Sequence, residues 1–549
     1  MFDLFYSSKE TPASLKNHGN ILLNEGRVSE AELLYRKATA LDPGFMPAHY
    51  NLGNALRLQG RFEEALAAYE TALRLVPGDY EICMNIGATL LDLGRAADAL
   101  QAFSHANELM PGAAEPLVNM GLACERLGQM EKALTSGNRS QEAGSAGTIN
   151  YGSLNPALQA QNKFEVAVEY YNKALMIKPD LVVAHNNLGF ALQSQGKFDE
   201  ALESFRHALS LNPDFAETHN NLGNALQSQG RFEEAVESFR HALSFNRDFV
   251  DAHYNLGNAY KDLKRFEESE ASYRKALAIN PEHVNALNSL GGLLMECERP
   301  NEAMDCFQQV VRLDPNNAAA AHLIASMTGI DSASAPSQYV AELFDGFASN
   351  FEAILVENLN YEIPKKLVAL ITDFAKPVAE KWDVLDLGCG TGLVGPAIAP
   401  YTRQLVGVDL SAGMLAKAQE KRLYQRLERS ELLAMMKGEK ASSYDVIIAA
   451  DVFVYIGRLD EIMVEINRLL RPGGTLAFSV EAMEALSNEE GIKDYQLNQT
   501  GRYAHSSGYI ARMALVNGFK KHSLTPSTIR LEKGKPVQGW VALMENTEQ

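Results

Sequence analysis

Positive charge is in short supply. Against 69 Asp and Glu the chain has 50 Lys and Arg, which gives a formal net charge of −19 and a pI near 5.2. That balance argues against a phosphate backbone, and so against nucleic acid, as the main ligand. Cysteine is scarce too. Cys83, Cys124, Cys297, Cys306 and Cys389 form no C-x-x-C pair, and none stands at metal-ligand spacing from a histidine. The expectation is therefore no disulfide framework, no metal, and reduced thiols in a cytoplasmic protein. No apolar run approaches about 18 residues, so no membrane span is expected. The first residues, MFDLFYSSKETPASLKNHGN, lack a basic stretch followed by an apolar one, so no signal peptide is expected either. What is present, 46% hydrophobic and 22% charged residues over 549 positions, is enough for several buried cores.

Glycine is abundant and periodic. Gly19, Gly53, Gly87, Gly121, Gly189, Gly223, Gly257 and Gly291 fall at intervals of 34, with one double interval that has Asn155 at its midpoint. Ala65, Ala99, Ala133, Ala167, Ala201, Ala235 and Ala303 keep the same period, as do Tyr35, Tyr69, Phe103, Tyr171, Phe205, Phe239, Tyr273 and Phe307. Prolines close most repeats. Small residues where two helices cross, an aromatic on the second helix and a terminal proline resemble the tetratricopeptide repeat family, here over nine repeats in residues 12–317. The resemblance implies an α solenoid of helix–turn–helix hairpins with a concave groove, capped by a further helix near Ala318–Met327. The fourth repeat departs from the pattern. Its second helix is replaced by TSGNRSQEAGSAGTIN, read either as a loop or as a hinge.

Two residues before the repeat glycines stand Asn17, Asn51, Asn85, Asn119, Asn187, Asn221 and Asn255. An amide offers both a donor and an acceptor, so a row of them can hold an extended polypeptide by its backbone. They can equally bond to neighbouring repeats or to water. The repeat text, such as HNNLGNALQSQGRFEEA, is similar to the repeats of O-GlcNAc transferases, which implies a ladder gripping a protein or extended peptide. Nothing after residue 330 resembles that glycosyltransferase.

Composition changes at residues 326–338, SMTGIDSASAPSQ. The expected layout is a repeat array over 12–327, a linker over 328–338 and a second domain over 339–549. In the second domain the expected strands are Asp383–Leu387, Gln404–Asp409, Asp445–Ala450 and Thr475–Val480, with a third strand in or just before Arg429–Leu433. Helical stretches alternate with them, which predicts a doubly wound, Rossmann-like α/β sheet. The first strand runs into WDVLDLGCGTGLV. Gly390, Gly392 and Gly395 fit a dinucleotide spacing, and Asp409 stands where a ribose-binding acid belongs. Asp386, however, would oppose a pyrophosphate and suit a cofactor with an ammonium and a sulfonium.

VLDLGCGTG, VGVDLSAGM, YDVIIAADV and LLRPGGTLAFSV occur in order, and together they resemble the motifs of class I S-adenosylmethionine-dependent methyltransferases. The resemblance implies that Gly388, Gly390 and Gly392 lie against the methionine portion and that Asp386 places its amino group. It further implies that Asp409 holds the ribose, Leu410 and Met414 flank the adenine, Glu431 accepts from the adenine amino group, and Ala450 and Asp451 line the channel near the methyl. RLERSELL departs from the usual text around the adenine acid.

The chain is thus expected to be an S-adenosylmethionine-dependent enzyme whose repeat arm recruits a protein partner or protein substrate. The alternatives are a methyltransferase for a small carboxylic or isoprenoid-type acceptor, with repeats for assembly only, and a non-catalytic scaffold. D-V-F-V-Y after the fourth strand is not the Asn/Asp-Pro-Pro-aromatic motif of enzymes that methylate amide or adenine nitrogens. Phe344, Phe347, Phe351 and Tyr361, in text similar to the lid helices of small-molecule methyltransferases, either close over the site or pack onto the sheet. GRYAHSSGYI supplies Arg502, Tyr503 and His505. His505 has the best intrinsic pKa for a base, Arg502 could hold a carboxylate, and Tyr503 and Asp451 complete the catalytic candidates.

Overall fold

A computed structural model of the chain describes residues 10–137, 156–330, 332–347, 351–352, 361–375, 381–483, 493–532 and 535–547. The chain divides into two compact units, Met1–Pro281 and Glu282–Gln549.

The described part of the first unit is made of antiparallel helix pairs, beginning with Pro12–Asn24 against Val28–Leu41 and ending with Val250–Asp262 against Phe266–Ile279. The glycine period has a steric cause. A Cβ at Gly53 would stand 2.6 Å from Cε1 of Tyr69, and one at Gly223 2.5 Å from Cε1 of Phe239. The ring fills the place of the missing side chain, so the two helices approach closely. Both rings are fully buried, as are the in-phase alanines Ala65, Ala99, Ala201 and Ala235.

The fourth repeat differs from the expectation. Helix Glu115–Gly137 pairs directly with helix Pro156–Ile177. Gly121 takes Tyr171 as its ring, with Cε1 2.5 Å from the Cβ position, although Tyr171 belongs to the following 34-residue interval. Two repeats of sequence therefore yield one hairpin with longer arms, and the described residues of both units contain eight hairpins rather than nine. A run rich in glycine and serine has no apolar stripe with which to bury two further helices. The run itself, 138–155 with Asn155, lies outside the described residues.

The second unit starts with the hairpin Val284–Glu296 and Pro300–Leu313, followed by the expected cap, helix Ala318–Thr328. Helices Ser337–Phe347 and Ile363–Ala375 precede a nine-stranded sheet. Its strands are β1 (Trp382–Leu387), β2 (Thr402–Asp409), β3 (Arg426–Arg429), β4 (Tyr444–Ala449), β5 (Leu470–Ala482), β6 (Tyr495–Leu497), β7 (Tyr503–His505), β8 (Phe519–Glu532) and β9 (Lys535–Asn546). The order β3-β2-β1-β4-β5 is parallel throughout. β9 joins β5 antiparallel and carries β8, and the short β7 extends the far end of β5, with Glu481 opposite Ala504. β1 and β4 lie centrally and read as near-continuous apolar runs because both their faces are covered. The expected third strand falls at its early limit. Leu432–Gly438 is helical, since Met435 and Met436 turn into the core on one face.

The expected linker is not a free spacer. Ala335 N–H donates to the Tyr455 carbonyl at 2.8 Å, and the N–H groups of Gly457 and Arg458 both donate to the Ala333 carbonyl at 2.9 Å. In the capping helix, His322 Nε2 donates to the Gly501 carbonyl at 3.0 Å, and its ring lies 5.1 Å from that of Tyr339. Residues 332–337 are thus a strap tied to the loop after β4.

Gly53→Ala tests the steric account of the repeats. Equilibrium denaturation of the full chain should show a loss of about 1–3 kcal/mol from displacement of the Tyr69 ring. An unchanged midpoint would contradict that account.

Candidate functional site

A cavity of about 460 Å³ opens at the C-terminal ends of β1, β2 and β4, the place where open α/β sheets bind ligands. One wall carries Gly388, Gly390, Asp409, Leu410, Glu431 and Ala450. The turn after β1 needs glycine at two of these positions for different reasons. Gly388 has φ +62, and a Cβ there would meet Val452 at 2.5 Å. Gly390 has φ +55 and open space where its side chain would be. Asp409, the last residue of β2, accepts the Gly390 N–H on Oδ2 and the Ser411 N–H on Oδ1, both at 2.9 Å. Each oxygen keeps a lone pair for a further donor. Enclosure pushes this carboxyl up, and the backbone N–H groups of Ser411 and Gly390 oppose that shift.

Asp386, Gly392 and Met414 do not line the cavity. Asp386 lies beneath the turn, 1% exposed, and its Oδ2 accepts from the Tyr424 hydroxyl at 2.7 Å. Its Oδ1 has no partner, and neither does Oγ1 of the buried Thr391. Burial pushes the Asp386 carboxyl up to about 7, with Tyr424 opposing the shift and Asp409 adding to it. Gly392, at φ +83, leaves room for the Tyr424 ring, which would meet a Cβ at 2.9 Å. The same ring closes on Gly395 and Gly407. Met414 is buried in the core.

These residues fit S-adenosylmethionine. The orphaned Asp386 and Thr391 oxygens lie under a turn that presents open backbone, and the acidic pair Asp386 and Asp409 suits a cofactor with cationic groups and ribose hydroxyls. The opposite wall comes from the strap and the helix after it. Ser334, Ala335, Ser337, Val340, Leu343 and Phe344 line it. Asp345 fixes that helix by accepting from the Ser411 hydroxyl and the Gly413 N–H, and Ser337 donates to Glu431. Phe351 and Tyr361 also line the cavity. The Phe347 side chain lies outside the described residues.

The methyltransferase-domain family matches residues 385–476, which hold this wall. Tetratricopeptide repeat families match residues 16–80, 180–248 and 284–317, among other segments. The chain carries tetratricopeptide repeats followed by a class I methyltransferase domain. It is similar to "Probable S-adenosylmethionine-dependent methyltransferase CRG1" of Saccharomyces cerevisiae, 30% identical over 134 residues, covering 24% of this chain and 45% of that protein. An uncharacterized methyltransferase of Schizosaccharomyces pombe is 24% identical over 33% of this chain and 69% of its own length. The malonyl-[acyl-carrier protein] O-methyltransferase of Methylococcus capsulatus is 27% identical over 35% of this chain and 70% of its own. The chain thus spans less than half the length of the first of these relatives.

The structure places two of the three catalytic candidates away from the cavity. His505, the last residue of β7, is fully buried, and its Nε2 donates to the Gly457 carbonyl at 3.1 Å. Burial pushes its pKa down to about 4. It does not line the cavity, so it is neither charged at neutral pH nor placed to take a proton. Tyr503 is also fully buried outside the cavity, its hydroxyl bonded to Ser332 of the strap. Asp451 does line the cavity, in a left-handed conformation at φ +60. Its carboxylate, however, is held by Arg530 Nη1 at 3.0 Å.

Sequence reasoning missed Tyr424, which supports the glycine turn, and Arg530, which reaches the cavity only because β8 is carried on β9. No motif marks either residue.

On the repeats of the first unit, Asn51 donates to Asn20 Oδ1 at 2.8 Å, Asn85 to the Tyr50 hydroxyl at 2.9 Å, Asn221 to Asn186 Oδ1 at 3.1 Å and Asn255 to Asn220 Oδ1 at 3.0 Å. These four spend an amide N–H on the preceding repeat, and their carbonyl oxygens keep no protein donor among the described residues. Asn187 accepts from Asn186 at 3.1 Å. Asn119 is half-buried on its helix, and Asn17 is exposed.

The pKa of Asp386 fixes a sign. Folding raises it from 3.8 to about 7, so the ionised form is disfavoured without cofactor. Stability of the cofactor-free protein should fall as pH climbs from 3.8 towards about 7 and level off above. A cationic cofactor favours the ionised form, so calorimetric affinity for S-adenosylmethionine should rise over the upper part of that window. Asp386→Asn should flatten both trends; a variant with the parent's pH profile would contradict the assignment.

Proposed function

We propose that this protein transfers a methyl group from S-adenosylmethionine to an acceptor in the cavity described above, and that its repeat array recruits a protein, either the substrate or a partner. The observation that carries the reading is the convergence of Gly388, Gly390, Asp409, Leu410, Glu431 and Ala450 on one cavity, with the orphaned Asp386 oxygen beneath. The cofactor would supply an electrophilic methyl on sulfonium. The chain's own part is positioning. Asp409 holds its carboxylate towards the cavity by two backbone bonds, Tyr424 sets Asp386, and Asp345 pins the lidding helix on Ser411 and Gly413. Such proximity and alignment can lower a barrier substantially without acid or base help.

For the repeats, the carbonyl oxygens of Asn51, Asn85, Asn221 and Asn255 support backbone capture in half of its original form. They offer acceptors for peptide N–H groups, whereas one N–H of each amide is engaged on the preceding repeat. No described helix is long and apolar enough to cross a membrane.

A second reading, a small-molecule acceptor with the repeats used for assembly, is favoured by Val340, Leu343, Phe344 and Phe351, which wall the cavity, and by the named substrate of the Methylococcus relative. The scaffold reading has no such support, since the residues of the donor wall are in place.

Calorimetric titration of the full chain with S-adenosylmethionine tests the donor site. Saturable binding is expected, weakened by about tenfold or more in Asp409→Ala through loss of charge-assisted hydrogen bonds. Absence of saturable heat from the unmutated chain would refute the reading.

A further inference from the structure

The acceptor side of the cavity holds Tyr361, Asp451, Tyr455, Arg502, Arg530 and Glu532. Arg530, 5% exposed, has both terminal nitrogens paired: Nη1 serves Asp451 and Nη2 serves Glu481. Arg502 does not. Its Nε donates to the Tyr455 hydroxyl at 3.4 Å and its Nη1 to Glu532 at 3.2 Å. Both contacts are long for a charged donor, which ordinarily sits at about 2.7–2.9 Å from a carboxylate. Its Nη2 has no protein acceptor among the described residues. Arg502 therefore presents an open guanidinium edge, the geometry that takes a carboxylate in two parallel bonds.

Among the described residues, every carboxylate of this cavity already has a partner. Asp409 is bonded to two backbone N–H groups, Asp451 to Arg530, Glu431 to Ser337 and Glu532 to Arg502, and His505 lies outside the cavity. An alcohol or an ammonium would have to lose a proton to one of these engaged groups. A carboxylate arrives already deprotonated at neutral pH, since its pKa is near 4. Val340, Leu343, Phe344, Leu432 and Leu433 make the rest of this space apolar.

We infer, resting on the methyl-donor reading above, that the acceptor is a carboxylic acid with an apolar body, held by Arg502 and methylated on its carboxylate oxygen. One carboxylate oxygen forms a bond to the methyl carbon, the carbon–sulfur bond breaks, and its electron pair stays on sulfur. The sulfonium charge and the carboxylate charge both vanish, the product is a methyl ester, and no proton moves. Glu532, half-exposed at the rim, stays on Nη1 of Arg502 beside the edge that the incoming carboxylate takes. Burial pushes the Glu481 carboxyl up, and the guanidinium groups of Arg530 and Arg502 oppose that shift.

The test uses the full chain saturated with S-adenosylhomocysteine, which has no methyl to transfer. It is titrated with octanoate and dodecanoate, and in parallel with the corresponding primary amides. At least one acid should bind about tenfold or more tighter than its amide, as expected for a charge-assisted pair. Arg502→Gln should abolish that preference while leaving affinity for S-adenosylhomocysteine unchanged. Arg502→Lys, a backup if the first variant does not bind S-adenosylhomocysteine, should keep a reduced preference. Equal binding of acid and amide, no binding of either acid, or a preference untouched by Arg502→Gln would overturn the inference. Failure of the unmutated chain to bind S-adenosylhomocysteine would instead strike the donor site, and the first titration shows it separately.

Discussion

Everything at the donor site depends on one awkward group, a carboxyl sealed under a backbone turn with only half of its hydrogen bonds made. A buried carboxylate without partners is costly, so Asp386 resists ionisation until a cation arrives. Tyr424 makes the arrangement tolerable by donating to Oδ2, and its ring also supplies the surface on which the turn rests. The glycines follow from this packing. At Gly392 and Gly407 a side chain would collide with Tyr424, and at Gly388 with Val452. The turn is therefore shaped from below by a tyrosine and from above by whatever approaches Gly390.

A second dependence runs through the strap. Ser334, Ala335 and Ser337 wall the cavity, Ser332 bonds Tyr503, and His322 of the capping helix holds the carbonyl of Gly501, next to Arg502. Within the second unit, the end of the repeat array and the acceptor wall are thus one connected structure. The stretch expected as a linker, 328–338, contributes Ser334, Ala335 and Ser337 to the cavity wall, and the compact unit starts at Glu282.

The repeats and the parallel sheet were legible because both leave strong periodic traces. A 34-residue spacing of glycine and aromatic residues records a steric contact, and apolar runs such as VLDL and VIIA record strands covered on both faces. Asp386 and Asp409 could be singled out because each stands at or near the end of an apolar strand within a recognisable stretch, VLDLGCGTG and VGVDLSAGM. The reading failed where partners are distant in sequence. Arg530 meets Asp451 and Glu481 through the pairing of β8, β9 and β5, and Tyr424 meets Asp386 from the connection between β2 and β3; no local pattern encodes either contact. His505 was misread for the complementary reason: its intrinsic pKa near neutrality said nothing of a fold that buries it completely. The fourth repeat was miscounted because phase survives an interruption even when the helices do not.

The most direct test of the central claim is the titration of the Asp386 carboxyl itself, followed by carbon NMR on the full chain with labelled aspartate and Asp386→Asn as the assignment control. Without cofactor the carboxyl should titrate near 7, and with S-adenosylmethionine bound it should stay ionised through that pH. Titration near the ordinary 3.8, or a midpoint indifferent to the cofactor, would contradict the account.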